Sequence, residues 1–132
     1  MRLTFLGKVS NPTESPTLYA SDQDTYVVQG WKVTDPEITS KLEVPSGETI
    51  VEVPSALFDH LINDGVTGTV SAWACPIVHV TSSGNYIVQG EAVSDAETLG
   101  QMSIPGHEDC VEVSKAAIKA LLEENADGSG HG

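Results

Sequence analysis

Two stretches of the chain, 60 residues apart, carry the same order of apolar and polar positions. Residues 26–34 read YVVQGWKVT, and residues 86–94 read YIVQGEAVS. The match extends without a gap over residues 16–62 and 76–122, in which 15 of the 47 aligned pairs are identical. We therefore predict an internal duplication in which each copy forms the same small unit.

Alternating apolar positions predict the strands of this unit. Residues 17–20 and 77–80 are each followed by a polar turn and then by the repeated stretch, an order that predicts a β-hairpin. A third strand is expected at residues 49–53 and 109–113, after a proline-containing turn.

An extra leading strand can precede the unit. Residues 1–8 alternate, with Leu3 and Phe5 on one half-buried face. The counterpart at residues 66–73 alternates less clearly. Residues 10–16 have the composition of a loop.

Each third strand runs directly into a helix with one apolar face. We expect the first helix to begin at Pro54 or Ser55 and to stop at Gly65. The second is expected to begin at Ser114, to continue through the acidic residues that follow it, and to fray before Gly128.

A short helical turn is also expected between the second and third strands of each copy. Asp35 and Asp95 have the side chain of an N-cap, and an acidic first turn follows each of them. The predicted turns cover residues 36–41 and 96–101.

These elements predict an α+β fold made of a duplicated β-β-β-α unit, with antiparallel sheets, two covering helices and a pseudo-twofold axis. Repeat one spans residues 1–64 and repeat two spans residues 65–127. The repeats are expected to pack as one globular unit, because about 60 residues alone bury too little surface. Residues 128–132 are expected to form a disordered tail.

The charge is strongly negative, with 19 acidic and 6 basic side chains and a formal net charge of −13. No Lys or Arg lies between Lys41 and Lys115, where eleven carboxylates fall. Nucleic acids and anionic membranes would repel such a surface, whereas a basic protein would be attracted. The alternative is that the acidity only serves solubility or salt adaptation. Since neither a membrane span nor a signal peptide is evident, a cytoplasmic protein is expected.

Four residues of repeat two have the side chains that zinc prefers: Cys75, His79, His107 and Cys110. On one extended strand Cys75 and His79 would lie about 13 Å apart, too far to share a metal unless the chain bends near Pro76. The pattern therefore favours reduced core cysteines and surface histidines, with no cofactor. No Walker loop, dinucleotide fingerprint, nucleophile elbow, HExxH motif or EF-hand spacing is present, and no catalytic residue is predicted.

Four acidic positions recur in both copies: Asp35/Asp95, Glu37/Glu97, Glu48/Glu108 and Glu52/Glu112. Acid–base pairs are one interpretation. The pattern instead favours a helix cap, a first helical turn, a loop and the outward face of a strand, in that order.

Gln29–Gly30 and Gln89–Gly90 are the most conspicuous shared polar feature. A glycine within a strand usually marks a bulge or the close approach of another backbone, and a neighbouring glutamine can satisfy the groups so freed. This favours a structural role. Ligand contact by Gln29 and Gln89, in a pocket between the repeats, is the alternative.

Differences between the copies point to a binding surface. Trp31 aligns with Glu91, and Tyr19 aligns with His79. If exposed, Tyr19, Trp31 and Trp73 have the composition of an interface core in an acidic rim. The competing interpretation is that the tryptophans fill the seam between the repeats.

Residues 16–22, 26–34 and 51–54 resemble small acidic proteins of actinobacteria. More loosely, the order of a hairpin that ends at residues 33–35 and then a strand that runs into a short helix is similar to the BldB-like family of unknown function. The chain departs from that family's basic-acidic-serine triplet and from the tryptophan of its final helix, where Phe58 and Ile118 lie nearby. Because members are commonly encoded beside helix-turn-helix regulators, the resemblance implies a regulatory binding partner and no catalytic residue.

Together these observations favour a non-enzymatic acidic interaction module that docks a basic protein, such as a helix-turn-helix regulator or a toxin. The alternative is a small-ligand-binding or enzyme-accessory domain with its pocket between the repeats. A DNA mimic is a third class, and self-association remains open.

Overall fold

A computed structural model describes residues 1–8, 16–66, 76–102, 104, 106 and 108–122 of the chain. It confirms the α+β class, with one seven-stranded sheet and four helices among these residues. In chain order the elements are β1 (Leu3–Lys8), β2 (Thr17–Ser21), β3 (Thr25–Lys32), α1 (Pro36–Thr39), β4 (Glu48–Val53), the 3₁₀ helix η1 (Ser55–Asp64), β5 (Ile77–Val80), β6 (Tyr86–Ala92), α2 (Ala96–Leu99), β7 (Glu108–Ser114) and α3 (Lys115–Leu121).

The strands of each half exchange partners. Every described strand pairing is antiparallel, and the four strands β3, β4, β6 and β7 form a closed circuit in which each pairs with two others. Residues 25–31 of β3 pair with residues 108–114 of β7, but β3 meets β4 of its own half at only two positions. The third strand of each half therefore belongs mainly to the hairpin of the other half.

In the pairings made by the third strands β4 and β7, the register is the same at positions 60 residues apart. Tyr26 pairs with Val113 between β3 and β7, and Tyr86 pairs with Val53 between β6 and β4. The short β3–β4 contact, which includes Trp31 and Glu52, likewise recurs as the β6–β7 contact.

Two glycines make the circuit possible. A Cβ at Gly30 would lie 2.6 Å from the carbonyl oxygen of Glu52, and a Cβ at Gly90 would lie 2.5 Å from that of Glu112. Both distances are shorter than real Cβ contacts allow, so a side chain would push the crossing strands apart. The close backbone approach expected at the repeated glycines is therefore present.

The core lies between the sheet and the helices η1 and α3. It joins both halves, since Leu18, Val28 and Leu57 belong to the same buried cluster as Val88 and Ile118. The apolar faces of η1 and α3 supply three side chains each to this cluster or its edge, counting Leu122 directly after α3.

The short helices begin as predicted. Asp35 accepts a hydrogen bond from the backbone N–H of Glu37, and Asp95 accepts one from that of Thr98. These bonds satisfy amide groups that the first turn of a helix leaves unpaired.

Several local expectations were wrong. The first predicted helix begins at Ser55 and stops at Gly65 as expected, but it is a 3₁₀ helix. The second, α3, ends at Leu121, earlier than expected, because Leu122 is extended. In β1, a register shift after Phe5 leaves that side chain 58 % exposed and turns Leu6 into the core.

Other expectations fall on residues outside the described part of the chain. These are the loop at residues 10–15, the strand at residues 67–73, Trp73, Cys75, His107 and the tail at residues 128–132. No helix among the described residues is long and apolar enough to cross a membrane.

Candidate functional site: an acidic cavity between the halves

Three glutamates lie in a row across three neighbouring strands. Glu48 of β4 pairs with Glu91 of β6, and Glu91 pairs with Glu112 of β7. Directly opposed side chains of like charge destabilise a sheet. The row is therefore a local electrostatic cost that the fold tolerates at this place.

Two of these carboxylates are held by neutral donors. Gln89 Nε2 donates to Glu48 Oε1 over 2.8 Å, and Thr25 Oγ1 donates to Glu112 Oε2 over 2.8 Å. The side chain of Glu91 is exposed and makes no hydrogen bond or ion pair within the described part of the chain. The row therefore has carboxylate oxygens that accept no hydrogen bond from the described residues.

The row borders a cavity of about 430 Å³ that is lined by both halves. Besides the three glutamates, its walls include apolar surface from Pro76, Val113 and Ala117, with Thr25, Gln89, Gly90 and Ser114 completing the lining. An apolar floor beside acceptor oxygens suits a ligand that has an apolar stem and a cationic end.

The first half has the corresponding strand pairings but different side chains at this place. There the row reads Glu108, Trp31 and Glu52, so Trp31 stands where the second half has Glu91. Gln29 donates to Glu108 over 2.7 Å, as Gln89 does to Glu48. The glutamine–glutamate hydrogen bond is therefore present in both halves, and the central residue of the row differs.

The carboxylates of these rows were only partly anticipated. Glu48 and Glu108 begin strands β4 and β7 and do not lie in loops, because strand pairing starts at both positions. Glu108 is 2 % exposed, which the loop interpretation did not predict. The outward face expected for Glu52 and Glu112 agrees with their partial exposure and their contacts outside the core cluster.

Two of the three residues proposed for partner binding, Tyr19 and Trp31, lie in the described part of the chain, and they do not lie side by side. Tyr19 on β2 is half-buried and packs edge-to-face against Phe5, with the ring centroids 6.2 Å apart. Trp31 is half-buried, and its Nε1 is buried without a hydrogen-bond partner among the described residues. Tyr19 pairs with Val27, so Trp31 lies about 13 Å further along β3.

The two repeated glutamines have different surroundings. Gln29 is 1 % exposed, whereas Gln89 is half-buried and lines the cavity. Both join the two halves through glutamate side chains, and Gln89 also reaches the backbone carbonyl of Glu43 at 3.4 Å. Their amide groups therefore bind carboxylates, in addition to any backbone groups that the glycines free.

Cys110 and His79 are not brought together by the sheet. Cys110 is buried on β7, and His79 is half-buried on β5, a strand that pairs only with β6 in the described part of the chain. Among those residues no group of three or more His, Cys, Asp or Glu side chains is arranged to hold a metal. Burial, followed by the charge of Asp109, raises the pKa of Cys110 to about 12, so the thiol stays protonated at neutral pH.

No family model, curated protein or solved structure matches this chain.

The cavity itself could not have been found from the sequence. Its lining comes from five separate stretches of chain, and the exchange of third strands brings Glu48 and Glu112 to opposite sides of Glu91. The one available signal was the substitution of Trp31 by Glu91 between the two copies, which marks the central position of the row.

Proposed function

We propose that the protein is a non-enzymatic acidic interaction module that docks a basic protein partner. The observation that carries this proposal is the row of Glu48, Glu91 and Glu112 beside a cavity with an apolar floor. Charge of this sign attracts cationic side chains over several ångströms and adds specificity once contact is made.

The partner's chemistry follows from the surface that it meets. A formal net charge of −13 favours a protein with an exposed basic segment, such as a helix-turn-helix regulator or a toxin. The loose resemblance to the BldB-like family supports the first of these two. This docking requires cationic side chains that reach into the cavity, and a particular fold of the partner is not required.

A labelled octapeptide of alternating Lys and Arg tests the proposal by fluorescence anisotropy. We expect binding that weakens strongly as salt is raised from about 20 to about 300 mM, because the attraction is screened. In the triple variant Glu48→Gln, Glu91→Gln, Glu112→Gln, affinity should fall by at least about tenfold. Glutamine keeps the size and the hydrogen bonds of these side chains while it removes their charge.

A matched control removes the same charge elsewhere. Glu37, Asp59 and Glu97 are exposed and do not line the cavity, so Glu37→Gln, Asp59→Asn, Glu97→Gln should change affinity by less than about threefold. Equal losses in both triple variants would mean that only net charge matters. An affinity for the octapeptide that does not change with salt concentration would overturn the proposal.

The cavity supports a second candidate function, the binding of a small cationic ligand. Its volume of about 430 Å³ lies within the range of about 300–1,000 Å³ that is typical of ligand pockets. Titration with spermidine separates the candidates, since a small-ligand site should bind spermidine at least as tightly as the octapeptide.

A further inference from the structure

The cavity offers acceptors on more than one strand. Glu48 uses one carboxylate oxygen for Gln89, and Glu112 uses one for Thr25. No hydrogen bond among the described residues uses the other oxygen of either carboxylate, or either oxygen of Glu91. Because neighbouring strands are about 4.8 Å apart, these acceptors lie on both sides of one central position.

A guanidinium group fits this arrangement better than an ammonium group. Its planar fork has five donors that point in several fixed directions, so it can bond two carboxylates at once. It is also weakly hydrated and packs well against apolar side chains, of which Pro76 and Val113 line the cavity. An ammonium group is compact and strongly hydrated, and packing against apolar side chains stabilises it less.

In the first half, larger side chains occupy the position that corresponds to the cavity. Trp31 and Leu57 stand where the second half has Glu91 and Ala117, and both are larger than their counterparts. The side chain of Leu57 is fully buried, whereas Ala117 is only half-buried. Gly30 is likewise buried where Gly90 is half-buried. The larger side chains leave less space at the same position of the fold.

We infer that the cavity receives a single arginine side chain of the basic partner, and that Trp31 closes the equivalent place in the first half. This inference rests on the proposed function and adds two statements to it. The site discriminates arginine from lysine. In the described part of the chain, the second half has this site, centred on Glu91, and the first half has no equivalent of it.

Three heptapeptides test the inference. Each has blocked termini and consists of glycine except at the central position, which is Arg, Lys or citrulline. Binding is followed by chemical-shift titration of ¹⁵N-labelled protein at low salt. We expect the Arg peptide to bind about tenfold more tightly than the Lys peptide, with shifts centred on Gly90 and Glu91. The citrulline peptide has the same shape without the charge and should not bind measurably.

The decisive variants exchange the central residues of the two rows, Glu91 and Trp31. Glu91→Trp should abolish the Arg preference, because it gives the second half the residue that closes the first. Trp31→Glu should create new shifts around Gly30. If Trp31→Glu does not fold, as judged by circular dichroism, the Glu91→Trp result decides alone.

The outcomes separate this inference from the proposed function. Equal affinity for the Arg and Lys peptides, or an Arg preference that survives in Glu91→Trp, overturns the inference. If the octapeptide still depends on salt and on the three glutamates, the docking function stands without it. A folded Trp31→Glu variant with no new shifts shows that Trp31 does not close the site.

Discussion

At the scale of single residues, Gly30 and Gly90 are required where strands cross. Gly30→Ala should lower the free energy of unfolding by about 1–3 kcal/mol, the usual cost of overpacking, because the new Cβ meets the Glu52 carbonyl and the Val53 side chain. Urea denaturation followed by circular dichroism measures this change.

Gly106→Ala is the matched control for this prediction. A Cβ at Gly106 has nothing within 4 Å, and its backbone does not adopt a positive φ. We expect a change of less than about 0.5 kcal/mol. A Gly30→Ala variant as stable as Gly106→Ala would show that the strand crossing tolerates a side chain.

Single residues also show how far the sequence could predict the site. Asp35 and Asp95 cap their helices as expected, since an N-cap depends on residues three positions away or fewer. Glu108 was placed in a loop, but it is a buried strand residue. Its surroundings come from Gln29, 79 residues earlier, and no local pattern encodes such a contact.

At the scale of elements, one network joins β3, η1 and α3. Tyr26 of β3 donates its hydroxyl hydrogen to Asp64 Oδ2 over 2.8 Å, at the last residue of η1. Lys115 is the first residue of α3. Its Nζ lies 3.2 Å from the same Asp64 oxygen and 5.3 Å from the centre of the Tyr26 ring. The two covering helices are therefore tied to each other and to the sheet.

The counterpart tyrosine provides an internal control for this network. Tyr26→Phe should lower the free energy of unfolding by about 1–2 kcal/mol, because a hydrogen bond to a partly buried carboxylate is lost. Tyr86, 60 residues later, packs edge-to-face on Phe58 and makes no hydroxyl hydrogen bond in the described part of the chain. Tyr86→Phe should cost less than about 0.5 kcal/mol, and equal losses in urea denaturation would contradict this role of Asp64.

Elements show a clear limit of prediction from sequence. The hairpins and third strands were placed within about two residues, because apolar alternation is a local signal. The partners of the third strands β4 and β7 were not predicted. Residues 48–53 could lie beside β3 of their own half or beside β6, and both choices bury the same apolar face.

At the scale of the whole molecule, the exchange of third strands makes the halves interdependent. β7 completes the sheet around β3, and β4 completes it around β6, so that neither half keeps its main pairings without the other. We therefore expect both halves to unfold in a single cooperative transition. That transition makes the pH dependence of stability measurable as one quantity.

Alkaline pH should destabilise the molecule. Burial raises the pKa of Tyr19, Tyr26 and Tyr86 above the ordinary 10.0, and for Tyr26 the hydrogen bond to Asp64 raises it further. Burial likewise raises the pKa of Cys110 from 9.0 to about 12. The folded protein then holds protons that the unfolded chain releases, so this stabilisation is complete below about pH 9 and is lost as the pH rises through about 12.

Urea denaturation at several pH values between about 7 and about 11 measures the loss. We expect the free energy of unfolding to be flat up to about pH 9 and then to fall. Tyr26→Phe should give a shallower fall than the unchanged protein, because phenylalanine has no proton to lose. A profile that stays flat to pH 11, or a slope that Tyr26→Phe leaves unchanged, would show that the buried hydroxyls do not control alkaline stability.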